Sequence, residues 1–486
     1  MRMLTLSCVV LLQLFVFARG GFAAEAVDIG SRLELFVDHY LVGELDGAEL
    51  RLHHPVRSGV ALAFDRPWEG IVSGYVTVMY DRGKYRMYYR GRPMTTAADA
   101  TEQAHEVACY AESVDGITFT RPHLGFYEVA GTRDNNVILT QPKTVTHNFA
   151  PFRDTRPGVP ADERYKAVGG TGKAGLIPFV SADGIRWKQL QEGPIITKGA
   201  FDSQNNVFWS KHEGKYICFF RTWKHGVRWI TRTTSDDFLH WQEPTDMEFG
   251  DAPNEHLYTN QTEPYYRAPH IYIGTAARFV PGRWALTPEQ EKAIDLHGPQ
   301  NYSALGGAVS DAVLITSRGG THYDRTFLES FVRAGMDPRD WVARSNYPAR
   351  GVVPTGKNEM SMYVQRHYGQ PSAYLERMVL RIDGFASVHA PYRGGEMITK
   401  PFRFSGKVLV INFATSAAGG VRVEVQDEHG DAVEGFSLDD CPLILGDNLE
   451  HVVKWKGGGD VSALAGRPVR LRFVMRDADL YSLRFR

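Results

Sequence analysis

The chain is poor in cysteine, in long apolar runs and in excess charge of either sign, and each shortage closes off a class of protein. Four cysteines stand in 486 residues. Cys8 falls in the N-terminal apolar stretch, and Cys109, Cys218 and Cys441 lack metal-ligand spacing, so neither a zinc site nor a disulfide-stapled scaffold is indicated. Cys109 (VACYAES) and Cys218 (YICFFR) lie in strand-like runs and read as small buried apolar residues, with a disulfide between any two of the three left open. Lys and Arg number 55 against 56 Asp and Glu, which gives no electrostatic footing for nucleic acid or an anionic membrane. Beyond the first residues no segment is long and apolar enough to span a bilayer as a helix. The chain also has no Gly-x-Ser-x-Gly elbow, Walker loop, HExxH pair or dinucleotide-binding glycine fingerprint.

What is present begins with a targeting signal. Arg2 supplies a basic start, Leu4–Phe17 an apolar core, and Gly20–Ala26 a run of small residues with cleavage after Ala23 or Ala26. The apolar run is short for a membrane anchor, so residues 1–26 are expected to leave an exported, periplasmic or extracellular chain.

Aromatics at 12% and 48 glycines favour a β-rich, turn-rich protein. Phe201–Trp241 reads as one unit: FDSQNNVFW, then the strand GKYICFFRT, then VRWITRTTSDDFLHW. Its closing turn recurs as SVDGITF (Ser113–Phe119), SADGIRW (Ser181–Trp187) and, loosely, SRGGTHY (Ser317–Tyr323). Its Gly-Lys-Tyr hairpin recurs in RGKYRMYYRG (Arg82–Gly91), with a more open version in ERYKAVGG (Glu163–Gly170). One such sheet cannot bury its faces alone, and repeats spaced irregularly at roughly 50–80 residues make about five blades of a β-propeller. Leu33–Val60 reads as an edge strand and lead-in that closes the ring, where the adjacent Asp38 and His39 point to opposite faces and read as a turn or surface pair. Thr287–Gly298 is the best helix signal, capped by Thr287 with Pro288 in its first turn. After Phe385 the composition shifts to alternating strands such as KVLVINFAT and VRLRFVMRD. The expected fold is all-β: a five-bladed propeller over 27–386 and a jelly-roll-like β-sandwich over 387–486.

This layout resembles glycoside hydrolase family 32, and the propeller alone is similar to family 43 and its five-bladed relatives. The Gly-Lys-Tyr hairpins, the Ser-x-Asp-Gly turns, the strand led by Asp202 and the C-terminal strands carry the likeness. It implies a secreted enzyme acting on an oligo- or polysaccharide. The family's Asn-Asp-Pro, Arg-Asp-Pro and Glu-Cys motifs are not intact, and RDTRP (Arg153–Pro157) only echoes the second.

Glycosidic cleavage needs two carboxyl groups, one to protonate the leaving oxygen and one as nucleophile or base. In a propeller they meet where inner strands begin around the central funnel. Asp202 heads FDSQNNVFW, with Gln204 and Asn205 beside it to bond sugar hydroxyls. Glu255, next to His256, and Glu359, next to Asn358, hold the corresponding places in blades four and five. Two of these three acids are expected to form the pair, with Glu263 as a competitor whose Pro264 neighbour points to a turn. His147, Asn148 and Asp154 in blade two, Trp68 and Glu69 before blade one, and Arg267 and Arg278 in blade four complete the expected substrate contacts. Each also has a structural reading as a cap, a core polar group or a salt bridge. No metal or cofactor is expected, with a calcium at the funnel floor left open, and oligomeric state is not specified. The rival function is a catalytically silent carbohydrate-binding or scaffold protein using the same pocket.

Overall fold

Strand pairing in the computed structural model, which describes residues 26–93 and 106–486, follows the turn signals closely. The signal segment, Cys8 included, lies outside the described residues apart from Ala26. Three third strands, Val107–Ser113, Ile177–Ser181 and Val227–Ser235, end in the same turn. The closing serine Oγ accepts from the backbone N–H three residues on, at 2.9 Å from Gly116, Gly184 and Phe238 alike. The aspartate between them caps the next amide, Asp115 to Ile117, Asp183 to Ile185 and Asp237 to Leu239. The turn requires a left-handed residue, and Gly116 and Gly184 supply it at φ +72° and +78°. Phe238 adopts +77° in the same place.

Five four-stranded sheets result. Blade one runs through Gly74–Asp81, Lys84–Gly91, Val107–Ser113 and Val137–Leu139. Blade two uses Ala150–Arg153, Tyr165–Gly169, Ile177–Ser181 and Lys188–Gln189. Blade three uses Asn206–Ser210, Lys215–Lys224, Val227–Ser235 and Thr245–Asp246. In blade four the inner position is shared by His256–Asn260 and Glu263–Tyr265, both paired to Ala268–Pro281, with Ala308–Ser317 outside. Blade five begins at Val353–Pro354, continues through Glu359–Arg366 and Tyr374–Arg381, and takes its outer strand, Val56–Ala63, from the start of the chain. That strand closes the ring, as the lead-in reading expected, and the chain is a five-bladed β-propeller. Buried aromatic and β-branched side chains fill the clefts between blades, as where Phe152, Tyr216 and Phe238 pack together. The helix Pro288–Ala293 forms as expected, with the Thr287 and Gln290 side chains capping each other's backbone N–H.

Outside the ring, an eight-stranded sheet is built on the long strands Leu409–Gln426 and Arg470–Phe485. Early residues join it: Glu34–Leu35 pairs with Arg470–Phe485, Val42–Asp46 with Gly395–Thr399, and Glu49–Leu52 with Ala386–Ala390. Of the Leu33–Val60 lead-in, only the part from Val56 belongs to the ring. Leu33, Leu35, Val37 and Leu52 pack against Ile271, Met360, Phe385 and other apolar residues of blades four and five, so the sheet and the ring share a core. The cysteines Cys109, Cys218 and Cys441 are buried free thiols. Among the described residues no helix is long and apolar enough to cross a membrane.

Candidate functional site in the propeller funnel

The inner strands run around the ring axis, and Thr77 of blade one meets Arg350 beside blade five in a parallel bridge. At one end of this axis lies a polar pocket of about 350 Å³. Asp202 enters it from the loop before the inner strand of blade three, with a side chain 58% exposed. Its Oδ1 lies 2.9 Å from His147 Nε2, and His147 Nδ1 lies 2.8 Å from Glu106 Oε2. An imidazole thus joins an accessible carboxylate to one buried at 1% exposure. Both contacts are satisfied as N–H donors when the ring carries both protons.

The two carboxyl groups are held ionised in different ways. The hydrogen bond from His147 draws the Asp202 carboxyl well below the carboxylate range, and the charges of His147, Arg221 and Arg90 outweigh what burial opposes. Burial would raise Glu106, but Arg90, His147 and Arg92 reverse that and leave it below its ordinary value. Tyr75 packs edge-on to His147 at 5.4 Å between ring centroids, with the Arg90 guanidinium 4.8 Å from its own ring. Tyr75 is itself left-handed, at φ +49°, a conformation rare for a bulky residue. Burial, with Tyr258 and Asp202 adding, pushes its phenol well above the ordinary value, so it stays a neutral hydroxyl at pH 7. Tyr258, Tyr302, Tyr347 and Tyr368 line the remaining wall with Gln204, Gln261 and Gln365. Aromatic faces and amide groups of this kind suit a polyhydroxylated ligand.

Of the residues singled out in the sequence, the structure brings Asp202, His147 and Gln204 together in the pocket. Gln204 Nε2 bonds Thr77 Oγ1 at 2.8 Å, and its Oε1 accepts from Gln261 Nε2 at 2.8 Å. Asn148 and Asn205 lie beneath, bracing the Asp202 loop: both donate to the Phe201 and Ser203 carbonyls.

The other candidates are elsewhere, and neither Glu255 nor Glu359 lines the pocket with Asp202. Glu255 is clamped by Arg278 at 3.0 Å and Arg325 at 2.8 Å, and Arg278 also grips Asp311. Glu359 begins the second strand of blade five rather than the first and bonds Arg377 at 2.5 Å, while Asn358 serves the turn beside it. His256 accepts from the Arg228 backbone at 3.1 Å. Asp154 is buried against Lys166 and Tyr216, and Glu69 against Tyr89 and Arg121. The Trp68 indole is a core group bonded to Asn136. Arg267 leaves the ring to bond Asp383 and Glu450, fastening blade four to the outer sheet. Glu263 bonds Arg350 on the way to the opposite end of the axis, where burial raises its carboxyl.

Glu106, Arg90, Arg92 and Arg344 were missed. The first stands just ahead of the third strand of blade one, and Arg90 and Arg92 stand at and just past the end of its second, so no inner-strand rule finds them. A signal was available in Arg90-Gly91-Arg92, two guanidinium groups at the end of the aromatic run Met87–Tyr89. Among the described residues no cluster of three or more His, Cys, Asp or Glu could hold a metal ion.

Fold and site together define a five-bladed propeller with a polar, tyrosine-walled funnel pocket carrying a carboxylate–imidazole–carboxylate chain. No protein-family model matches the chain, and no curated protein matches it. It is similar in backbone course to a glycosyl hydrolase from Bacteroides ovatus, at 16% identity and a TM-score of 0.39, covering 68% of this chain and 94% of that one. An N-acetylgalactosamine deacetylase from F. plautii gives 12% and 0.42, covering 69% and 96%. A fructofuranosidase from Schwanniomyces occidentalis gives 10% and 0.39, covering 88% and 98%.

Proposed function

We propose that the chain is a secreted glycoside hydrolase whose reacting centre is Asp202 with His147 and Glu106. The observation that carries this reading is the Glu106–His147–Asp202 chain in a pocket walled by tyrosines and amides. Asp202 is the accessible, ionised carboxylate and takes the part of nucleophile or of base toward water. His147, bonded to Asp202 through Nε2, orients that carboxylate, and Glu106, too buried to reach a sugar, fixes the ring through Nδ1. The family 32 resemblance points to the same reaction class, with a different set of acids.

A second reading, a glycan-binding protein without turnover, is favoured by one feature. Glu106 is sealed at 1% exposure, so the pocket offers Asp202 as its one accessible carboxylate among the described residues.

The test is product release from plant, algal and microbial glycans by the wild type and by Asp202→Asn, His147→Gln and Glu106→Gln, with Glu359→Gln as a control outside the pocket. Hydrolysis predicts release that falls by roughly 10²–10⁴-fold in Asp202→Asn and His147→Gln. Glu359→Gln should match the wild type. Saturable glycan binding without release in any sample would establish the binder instead.

A further inference from the structure

The charges around the pocket are unequal. Arg90 and Arg92 face Glu106, at 3.8 and 3.7 Å. On the other side, Arg221, Arg228 and Arg344 gather around Tyr258, and of the three Arg221 pairs with Asp202. The Arg221 and Arg228 guanidinium carbons lie 5.1 and 4.5 Å from the Tyr258 ring centroid. Arg221 is 3.6 Å from Asp202, with a side chain only 7% exposed, and its Nε and one terminal nitrogen have no hydrogen-bond partner among the described residues. Neither Arg228 nor Arg344 forms a salt bridge among the described residues; Arg344 reaches only the Ala304 carbonyl, at 3.1 Å, and the tyrosines. Positive charge crowded in this way repels itself: burial pushes the Arg228 guanidinium down, and Arg221 and Arg344 push it further while Tyr258 and Tyr347 oppose.

The backbone delivers Arg344 deliberately. Arg344 and Asn346 both sit at φ +68°, a conformation unfavourable for a non-glycine residue that persists only where the surroundings impose it. Here Asn346 Nδ2 donates to the Ser310 and Asp340 carbonyls, both at 2.9 Å, and the Arg344 N–H donates to Ser310 Oγ. The loop places on the pocket wall a guanidinium that has no carboxylate partner among the described residues.

We propose that the pocket is selective for an acidic glycan, with Arg344 receiving a carboxylate or sulfate of the sugar and Arg221 reinforcing it from behind Tyr258. This deepens the hydrolase reading by naming a substrate class. Guanidinium groups bind such oxyanions by paired, charge-assisted hydrogen bonds, and a partly desolvated site strengthens them.

The test measures affinity of the full chain for matched pairs: oligogalacturonate against its carboxyl-reduced neutral form, and a sulfated galactan oligosaccharide against its desulfated form. The wild type should prefer one acidic member over its neutral partner by at least about tenfold, and Arg344→Gln should abolish that preference. Arg344→Lys should keep part of it. Which pair shows the effect distinguishes carboxylate from sulfate. Should Arg344→Gln fold poorly, the wild-type preference must still shrink as salt rises. Equal affinity within both pairs, binding of no member, a salt-independent preference, or an unchanged preference in folded Arg344→Gln would overturn the proposal. Product release measured alongside separates the two readings. Tight acidic-glycan binding without cleavage removes the hydrolase and leaves the selectivity; cleavage of neutral glycans without acidic preference does the reverse.

Discussion

Asn148 does not line the pocket, yet its side-chain amide holds the loop that bears Asp202. Its Nδ2 serves the carbonyls of Gly170, Phe201 and Ser203 at 2.9, 2.6 and 2.7 Å, and its Oδ1 accepts from the Gly170 N–H at 2.8 Å. Removing it strands several buried backbone groups at once. Asn148→Ala should therefore cost roughly 2–4 kcal/mol in a denaturant melt and lower turnover along with it. Glu359→Gln, which disturbs one half-exposed ion pair, should move the melt by less than about 1 kcal/mol. The contrast explains which residues the sequence revealed. Asp202, His147 and Gln204 stand just ahead of inner strands, where chain order alone puts them near the axis. Glu359 failed that rule because EMSMYV is the longer and more apolar strand of blade five, while the true inner strand is two residues, Val353–Pro354. Glu106 failed it because it stands just ahead of a third strand, Val107–Ser113, rather than an inner one, and no local pattern sets such a residue beside the axis.

Among the elements, the turns were the most legible, since a serine, an aspartate and a left-handed residue have one way of closing a strand end. Phe238 shows the limit of reading by residue type: a phenylalanine does the work of glycine because its ring fills the cleft between blades. The segment Asp337–Asn346 was not legible, for its conformation is set by partners distant in the chain. Asp340 lies at its base, with Arg57 and Arg366 at 3.8 and 3.9 Å from Oδ2. Burial raises its carboxyl from the ordinary 3.8 to about 6, against the pull of those arginines. Between these values the folded chain binds a proton that the unfolded chain has released, so stability falls as pH rises through that window. The loss is on the order of 2–3 kcal/mol, and Asp340→Asn should flatten it. Urea melts from about pH 4 to about pH 7 would check this, and a slope unchanged in the variant would assign it to another group.

At the scale of the molecule, ring and outer sheet behave as one body. Asp383 is bonded by Tyr265 and Arg267 of blade four and by Asn412 and Ser482 of the sheet. The apolar residues of 33–52 bridge the same seam. A chain ending at residue 385 would leave the strands of 27–52 without partners and that seam open to water. Such a fragment should be insoluble or lack a cooperative melt, whereas the full chain should unfold in one calorimetric transition. A fragment that melts like an independent propeller would show the seam to be dispensable.

The pairing of Glu34–Leu35 with Ser482–Leu483 also sets a timetable. During synthesis the early strands emerge long before Arg470–Phe485 exists, and the blade-closing strand Val56–Ala63 must wait for Tyr374–Arg381. Blades one to four can form as they appear, from neighbours in the chain. The strands between Val27 and Ala63 stay without their partners until almost everything else has been made. Their contacts span most of the chain, and closing loops of that length before any contact rewards it should make this fastening slower than the formation of a single blade.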